Sequence, residues 1–299
     1  MIENNNIPLP SVLAAETAPP VENVNSNPLA QYFRHSKLQI ALPSGGKFWP
    51  DGTLMLNDAK LLDVFPMTAR DEIMMKSPDG LLSGTSIADT ITSCIPGIKN
   101  AWMMPAHDVD TILVAIRLAS YEQGLEITTN CTHCDAANKD EIDLTVLLDS
   151  ITKDSIQNVY TEGDLTFEFA PYTFEFINKN NKAKFDQEQL ARSVITEATP
   201  TDEKSKYFAT IFNQLATHNV ESLVIAINKI VLQNGAVVTD KAQLTEFINA
   251  ADRKTIQDIR NNLVKMNDAA SIPDITLTCS ECDETYKTTV EFNQSNFFE

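Results

Sequence analysis

Glu126-Ile127-Thr128-Thr129-Asn130-Cys131-Thr132-His133-Cys134-Asp135 and Asp274-Ile275-Thr276-Leu277-Thr278-Cys279-Ser280-Glu281-Cys282-Asp283 are built alike. Each is a β-rich run leading into Cys-x-x-Cys and an acidic turn. Another β-rich run follows each, Glu141–Leu144 in the first and Tyr286–Phe292 in the second. A two-residue spacer lets the chain fold back so that both sulfurs of a pair face one ion, and two such knuckles complete a tetrahedral thiolate set. Soft thiolates select zinc over hard cations, with an iron centre as the chemical alternative. Four sulfurs fill the sphere and leave no position for substrate or water. Cys131, Cys134, Cys279 and Cys282 are therefore expected to hold one structural zinc ion as a ribbon.

The 144 residues between Cys134 and Cys279 (135 to 278) far exceed the roughly 15–20 of an ordinary ribbon. Closure entropy grows only with the logarithm of loop length, so a long insert is tolerable if it folds by itself. The expected fold is α+β. A flexible N-terminal arm (1–29) precedes a helical N-terminal region (30–124). A split zinc ribbon (125–150 plus 272–299) then encloses a hairpin and mainly helical insertion (151–271). The arm has no Lys or Arg, many Asn and Pro, and little hydrophobic periodicity, so it buries too little surface to offset its ordering entropy.

Working outward, Lys37–Leu42 reads as a strand ended by the Ser44-Gly45-Gly46 turn. Thr68 with Asp71 at the third helical position starts a helix that should stop before Pro78, with Asp79-Gly80 as a turn. A second helix spans Thr85–Cys94. In the third, Val109, Ile112, Leu113 and Ile116 follow helical spacing after Asp108, with Gly124 as its C-terminal cap. Leu165–Phe169 and Tyr172–Ile177 alternate around Ala170-Pro171 as a β-hairpin. Helices are then expected from Thr199-Pro200, at Glu221–Gln233 with Gly235 as the stop, at Asp240–Ala250 and at Arg253–Met266.

Composition narrows the function classes. Among 299 residues, 23 basic against 41 acidic side chains leave a formal charge of −18, which repels phosphate backbones. No nucleic-acid partner is expected, although a zinc-ribbon adaptor for nucleic acid or the transcription machinery is the competing reading. No apolar stretch approaches the roughly 20 residues that cross a bilayer, and MIENNNIPLP has neither the basic nor the apolar region of a secretory signal. Five cysteines, four in Cys-x-x-Cys pairs, suit a reducing cytoplasm. There is no Walker loop, G-x-G-x-x-G, H-E-x-x-H or G-x-S-x-G, and the four histidines (35, 107, 133 and 218) have no catalytic spacing. Neither an enzyme nor a small-molecule substrate is expected. His133 reads as an exposed spacer, Cys94 as a small buried hydrophobe and Arg117 as a surface arginine whose stem covers apolar neighbours, with a buried or interface ion pair as its alternative. Trp49 and Trp102 read as core residues, with interface anchors as the alternative.

The run Leu42-Pro43-Ser44-Gly45-Gly46, Pro66-Met67-Thr68-Ala69-Arg70-Asp71-Glu72, Ser77-Pro78-Asp79-Gly80-Leu81-Leu82, Ser93-Cys94-Ile95-Pro96-Gly97-Ile98, Asp108-Val109-Asp110 and Ala115-Ile116-Arg117-Leu118-Ala119-Ser120-Tyr121, ending in the Cys131/Cys134 knuckle, resembles the baseplate hub protein family of T4-like contractile-tailed bacteriophages. The resemblance covers roughly a third of the chain. Family proteins tend to read Asn-Pro-Asp-Ala where this chain has Ser77-Pro78-Asp79-Gly80. It implies a non-enzymatic component or assembly factor of the tail baseplate hub. Its partners would be other hub or assembly proteins, and it would work in the host cytoplasm during assembly, with a place in the virion tail baseplate if it is a retained component and none there if it is a transient assembly factor.

Overall fold

A computed structural model describes residues 12–14, 27, 29–121, 124–150, 156–194, 201–269 and 272–289 of the chain. The chain divides into two compact units, Met1–Asp154 with Ala270–Glu299, and Ser155–Ala269. Each combines helices with antiparallel ladders, an α+β architecture.

In the first unit, β1 (Val12–Ala14) pairs with β2 (Leu38–Ile40), which pairs with β3 (Leu62–Val64). β1 lies inside 1–29, where composition predicts a flexible arm. The rest of that arm, Asn27 and Leu29 apart, lies outside the described residues. Leu38, Ile40, Leu62 and Val64 alternate inward onto the core.

α1 (Ala69–Met75) starts with a capping box: Thr68 Oγ1 accepts the Asp71 N–H at 3.3 Å and the Asp71 carboxylate accepts the Thr68 N–H at 2.8 Å. It ends before Pro78, but Asp79-Gly80 is no turn. Ser77 Oγ accepts the Gly80 N–H at 3.3 Å and Pro78 takes the first helical position, so Pro78–Ser83 forms α2, closed by Gly84 at φ 75°. The ring that cannot continue one helix is preset to begin another. α3 (Thr85–Cys94) buries Ile87, Ile91 and Cys94. The chain then passes so close to Met55 that a Cβ at Gly97 would lie 2.6 Å from the Met55 carbonyl oxygen.

α4 (Ala106–Ser120) places Ile112 and Ile116 in the core. It ends short of Gly124, at Tyr121, whose backbone is extended (φ −127°, ψ −173°); the Ser120 hydroxyl in the last turn donates to the Ile116 carbonyl (2.7 Å) and accepts the Met67 N–H (2.8 Å). Arg117 is 7% exposed, buried rather than on the surface, with its guanidinium 5.2 Å from the centre of the Tyr121 ring. Asp108 is fully buried and serves a distant loop instead of the helix start. Its carboxylate accepts the Ser44 N–H (2.9 Å), the Ser44 hydroxyl (2.6 Å) and the Trp49 Nε1–H (2.7 Å). Burial raises the Asp108 pKa above its ordinary value, against the pull of these three bonds. Trp49 is thereby a core residue, whereas Trp102 lines an open cleft of about 630 Å³ with Thr68, Asp71 and Asp89.

Gly124 opens β4 (Gly124–Asn130), which pairs along its length with β5 (Ala137–Asp143). β5 starts ahead of the expected Glu141, since the tight knuckle brings Ala137 directly opposite Asn130. Leu144 belongs to α5 (Leu144–Ser150), whose first turn is held by Asp143 Oδ1 accepting the Thr145 N–H at 2.8 Å.

The second unit carries a four-stranded sheet in the order β6 (Val159–Glu162), β7 (Leu165–Phe169), β8 (Ile227–Leu232) and β9 (Val237–Val238). β7 pairs back with β6 across a turn holding Gly163 at φ 56°, and not forward with Tyr172–Ile177. There Thr173 Oγ1 accepts the Phe176 N–H at 3.3 Å, a capping contact that overrides the alternation and begins α6 (Phe174–Val194). α7 (Thr201–Ala226) follows. The Thr199-Pro200 cap lies outside the described residues. The helix expected through Gln233 stops at Ala226, because Ile227, Ile230 and Val231 suit a strand and find β7 beside them. Gly235, at φ 81°, sits in the β8–β9 turn. α8 (Lys241–Ala250) and α9 (Arg253–Asp268) begin with Asp240 and Asp252, each accepting an N–H three residues on at 3.0 Å. Phe167, Phe169, Ile227, Leu244 and Ile259 form the centre of this unit's core. The chain returns to the first unit as a last hairpin, β10 (Ile275–Thr278) and β11 (Thr285–Thr288).

Candidate metal centre

Two hairpins supply the site, β4–β5 with Cys131 and Cys134 at its tip and β10–β11 with Cys279 and Cys282 at its tip. Their local geometry is nearly the same. The Cys131 N–H donates to the Ala136 carbonyl (2.9 Å) and the Cys279 N–H to the Glu284 carbonyl (3.0 Å). Asp135 and Asp283 N–H groups donate to the carbonyls of Cys131 and Cys279, at 2.9 and 3.1 Å. Both aspartates adopt positive φ, 60° and 57°, a conformation that short polar side chains tolerate better than most. The His133 N–H points at Cys131 Sγ (3.3 Å) and the Glu281 N–H at Cys279 Sγ (3.5 Å). The repeat legible in the sequence is thus a repeat of backbone shape.

All four Sγ atoms lie within 4.8 Å of one another, an arrangement able to hold one metal ion. Across the two knuckles, Cys131 Sγ is 3.8 Å from Cys282 Sγ and Cys134 Sγ is 3.6 Å from Cys279 Sγ. Both separations are far beyond a disulfide bond of about 2.05 Å. Cys131 and Cys279 are buried, Cys282 is half-buried and Cys134 is exposed. Cys94 lies apart from them in α3, where burial pushes its thiol up to about 12. His133 is exposed.

Electrostatics divide the four sulfurs. The Glu281 N–H is the first of several donors that bring Cys279 down to about 6, a thiolate at neutral pH. Cys282 goes to about 12: the Glu284 N–H pulls it down, but burial and its contacts with Cys134, Cys279 and Cys131 push it further up. So many sulfurs cannot all carry charge at this distance without a cation among them.

Two side chains that sequence reasoning passed over join the halves. Asn138, 3% exposed, accepts the Ser280 N–H (2.8 Å) and hydroxyl (2.9 Å) on its Oδ1. Its Nδ2 donates to the Ala136 carbonyl (3.0 Å) and to Cys279 Sγ (3.5 Å). Tyr286, equally buried, shares a hydrogen bond of 2.7 Å with Thr129. Each stands seven residues after the first cysteine of its own knuckle and reaches the other half. The equivalence of these positions was available in the sequence; their different residue types hid it.

Beyond the cysteines, the family-like motifs have structural employment: Thr68–Asp71 caps α1, Pro78 starts α2 and Ser44 binds Asp108. Among the described residues, no helix is long and apolar enough to cross a membrane. A family model described as T4 bacteriophage base plate protein matches residues 37–299. No curated protein and no solved structure matches the chain.

Proposed function

Because the chain belongs to the T4 bacteriophage base plate protein family, we propose that it is a non-enzymatic component or assembly factor of the tail baseplate hub, stabilised by one structural zinc. The match over residues 37–299 carries the baseplate reading. The hub role is the narrower step, and it rests on the motif order from Leu42 to Cys134. The protein would act through contacts with other tail proteins in the host cytoplasm during assembly and, as a retained component, in the tail. Its formal charge of −18 suits docking onto a basic partner and opposes the alternative of a nucleic-acid adaptor.

Cys131, Cys134, Cys279 and Cys282 would ligate the ion. A tetrahedral Zn–S distance of about 2.3 Å requires sulfur–sulfur edges of about 3.8 Å. The separations of 3.6 and 3.8 Å across the knuckles support that fit. Residues 125–150 with 272–299 would then act as a ribbon that closes the base of the 151–271 insertion. A phage carrying an amber codon in this gene tests the assembly role, together with mass spectrometry of purified virions and a pull-down from infected cells. Hubless or tailless particles and co-purifying tail proteins are expected. Normal tails without the protein would overturn the proposal.

A further inference from the structure

We propose that Asn138 is a positioning residue for the metal: it holds the second knuckle in ligating geometry from the first hairpin and tunes the thiolate of Cys279. This rests on reading the four cysteines as a metal site. Asn138 is part of β5, yet two of its partners, Ser280 and Cys279, lie in the other knuckle. Its amide is used to capacity, with two donors and two acceptor contacts all engaged. The orientation is determined by the network, because a flipped amide would set its oxygen against the Ala136 carbonyl and its NH₂ against the Ser280 N–H. A buried side chain in this state has one rotamer available to it, so Ser280 and the sulfur beside it inherit that rigidity.

The contact also has an electronic consequence. An N–H directed at a thiolate sulfur stabilises its charge and lowers the energy of the lone pairs given to the ion. Cys279 takes such donors from Asn138 and from the Glu281 backbone. Tyr286, at the equivalent position in the second hairpin, instead binds the hydroxyl of Thr129 on the strand before the first knuckle. The two positions therefore provide a matched pair, one reaching a ligand and one that binds a strand residue.

Competition titrations with Zn²⁺ and a chromogenic chelator, and absorption spectra of the Co²⁺-loaded protein, separate these roles. For Asn138→Ala, zinc affinity is expected to fall about 10–100-fold, the range for lost outer partners of a metal site. The sulfur-to-cobalt charge-transfer band should move to lower energy. Asn138→Asp keeps an acceptor for Ser280 and loses the donor to sulfur, so it should show the same spectral shift and serves if the alanine variant does not fold. Tyr286→Phe should leave the band in place. If the parent protein loads one ion but both Asn138 variants retain its affinity and spectrum, the role assigned to Asn138 is wrong and the metal site stands. A parent protein that loads no ion would instead remove the site itself.

Discussion

Tyr286 and Thr129, 157 positions apart in the chain, share a hydrogen bond of 2.7 Å between their hydroxyls. The Tyr286 ring is 3% exposed and packs in the small apolar cluster with Cys131 and Cys279, so the phenol is an apolar body with its polar end satisfied. Tyr286→Phe keeps the ring and loses the bond, which should cost about 1 kcal/mol. Thr129→Val should cost a similar amount. The double variant should be destabilised by less than the sum of the two singles, because both remove one interaction. Urea unfolding of the four proteins checks this, and strict additivity would show that the bond contributes nothing.

Asp108 anchors the Ser44–Trp49 loop through three donors on two oxygens. Asn at this position presents one acceptor and one NH₂ group, so at least one buried donor of Ser44 or Trp49 loses its partner. Asp108→Asn should therefore cost about 1–3 kcal/mol. The pH dependence has a definite sign. The folded pKa lies above the unfolded value, so between the two the folded state keeps a proton that the unfolded state has lost. Stability from this group falls as pH rises through that window. The variant should lack that component, so its deficit in urea midpoint relative to the parent should be largest on the acid side and shrink as pH rises through the window. A difference independent of pH would mean that Asp108 titrates at its ordinary value.

What the sequence disclosed depended on whether the signal was local. The Thr68 cap, the Thr85–Cys94 helix and the helix starts at Asp240 and Arg253 are decided by neighbours within a turn, and the structure agrees with each. The Ile227–Leu232 strand was hidden because a short apolar run after a helix has no period of its own; β7 decides it from 58 to 67 positions away. Tyr172–Ile177 went the other way, an alternation from Tyr172 to Phe176 overruled by Thr173. The cysteines were legible as a repeat. Asn138 was not, since nothing in an isolated Asn on a strand says that its partner is Ser280.

Lys241 sits at the start of α8 and donates from Nζ to the carbonyls of Val224 and Ile227, both at 2.9 Å, where α7 gives way to β8. The ammonium closes a helix C-terminus that would otherwise leave carbonyls without partners, and its charge is attracted to the negative end of the helix dipole. Burial lowers its pKa, yet the contacts persist in either protonation state because a neutral amine still carries two N–H donors. Lys241→Met keeps the stem and removes both donors. A loss of about 1–3 kcal/mol and faster amide exchange in the last turn of α7 are expected. Unchanged exchange there would show that the helix end is held by the sheet alone.

Metal removal is the most consequential test, because binding free energy at a four-thiolate site is folding free energy for the segment that carries it. The second unit has its own core around Phe167 and Leu244, whereas the cluster at the knuckles consists of little more than Cys131, Cys279 and Tyr286. A strong chelator, or Cys279→Ser, should therefore shift the thermal transition of the first unit downward and leave most of the helical signal of residues 174–268 in place. The effect of pH follows from the ligands. Cys279 is drawn below its ordinary value of 9.0 to about 6, so its contribution is fully present above the unfolded value and is lost as pH falls through the folded one. Protons compete with the ion for the thiolates, so the melting temperatures of metal-loaded and stripped protein should converge on the acid side. Calorimetry of both forms from neutral pH down to about pH 5 measures this, with metal content read in parallel. Equal melting temperatures at neutral pH, with the ion shown to be gone, would mean that the hairpins hold their geometry through Asn138 and Tyr286 without any metal.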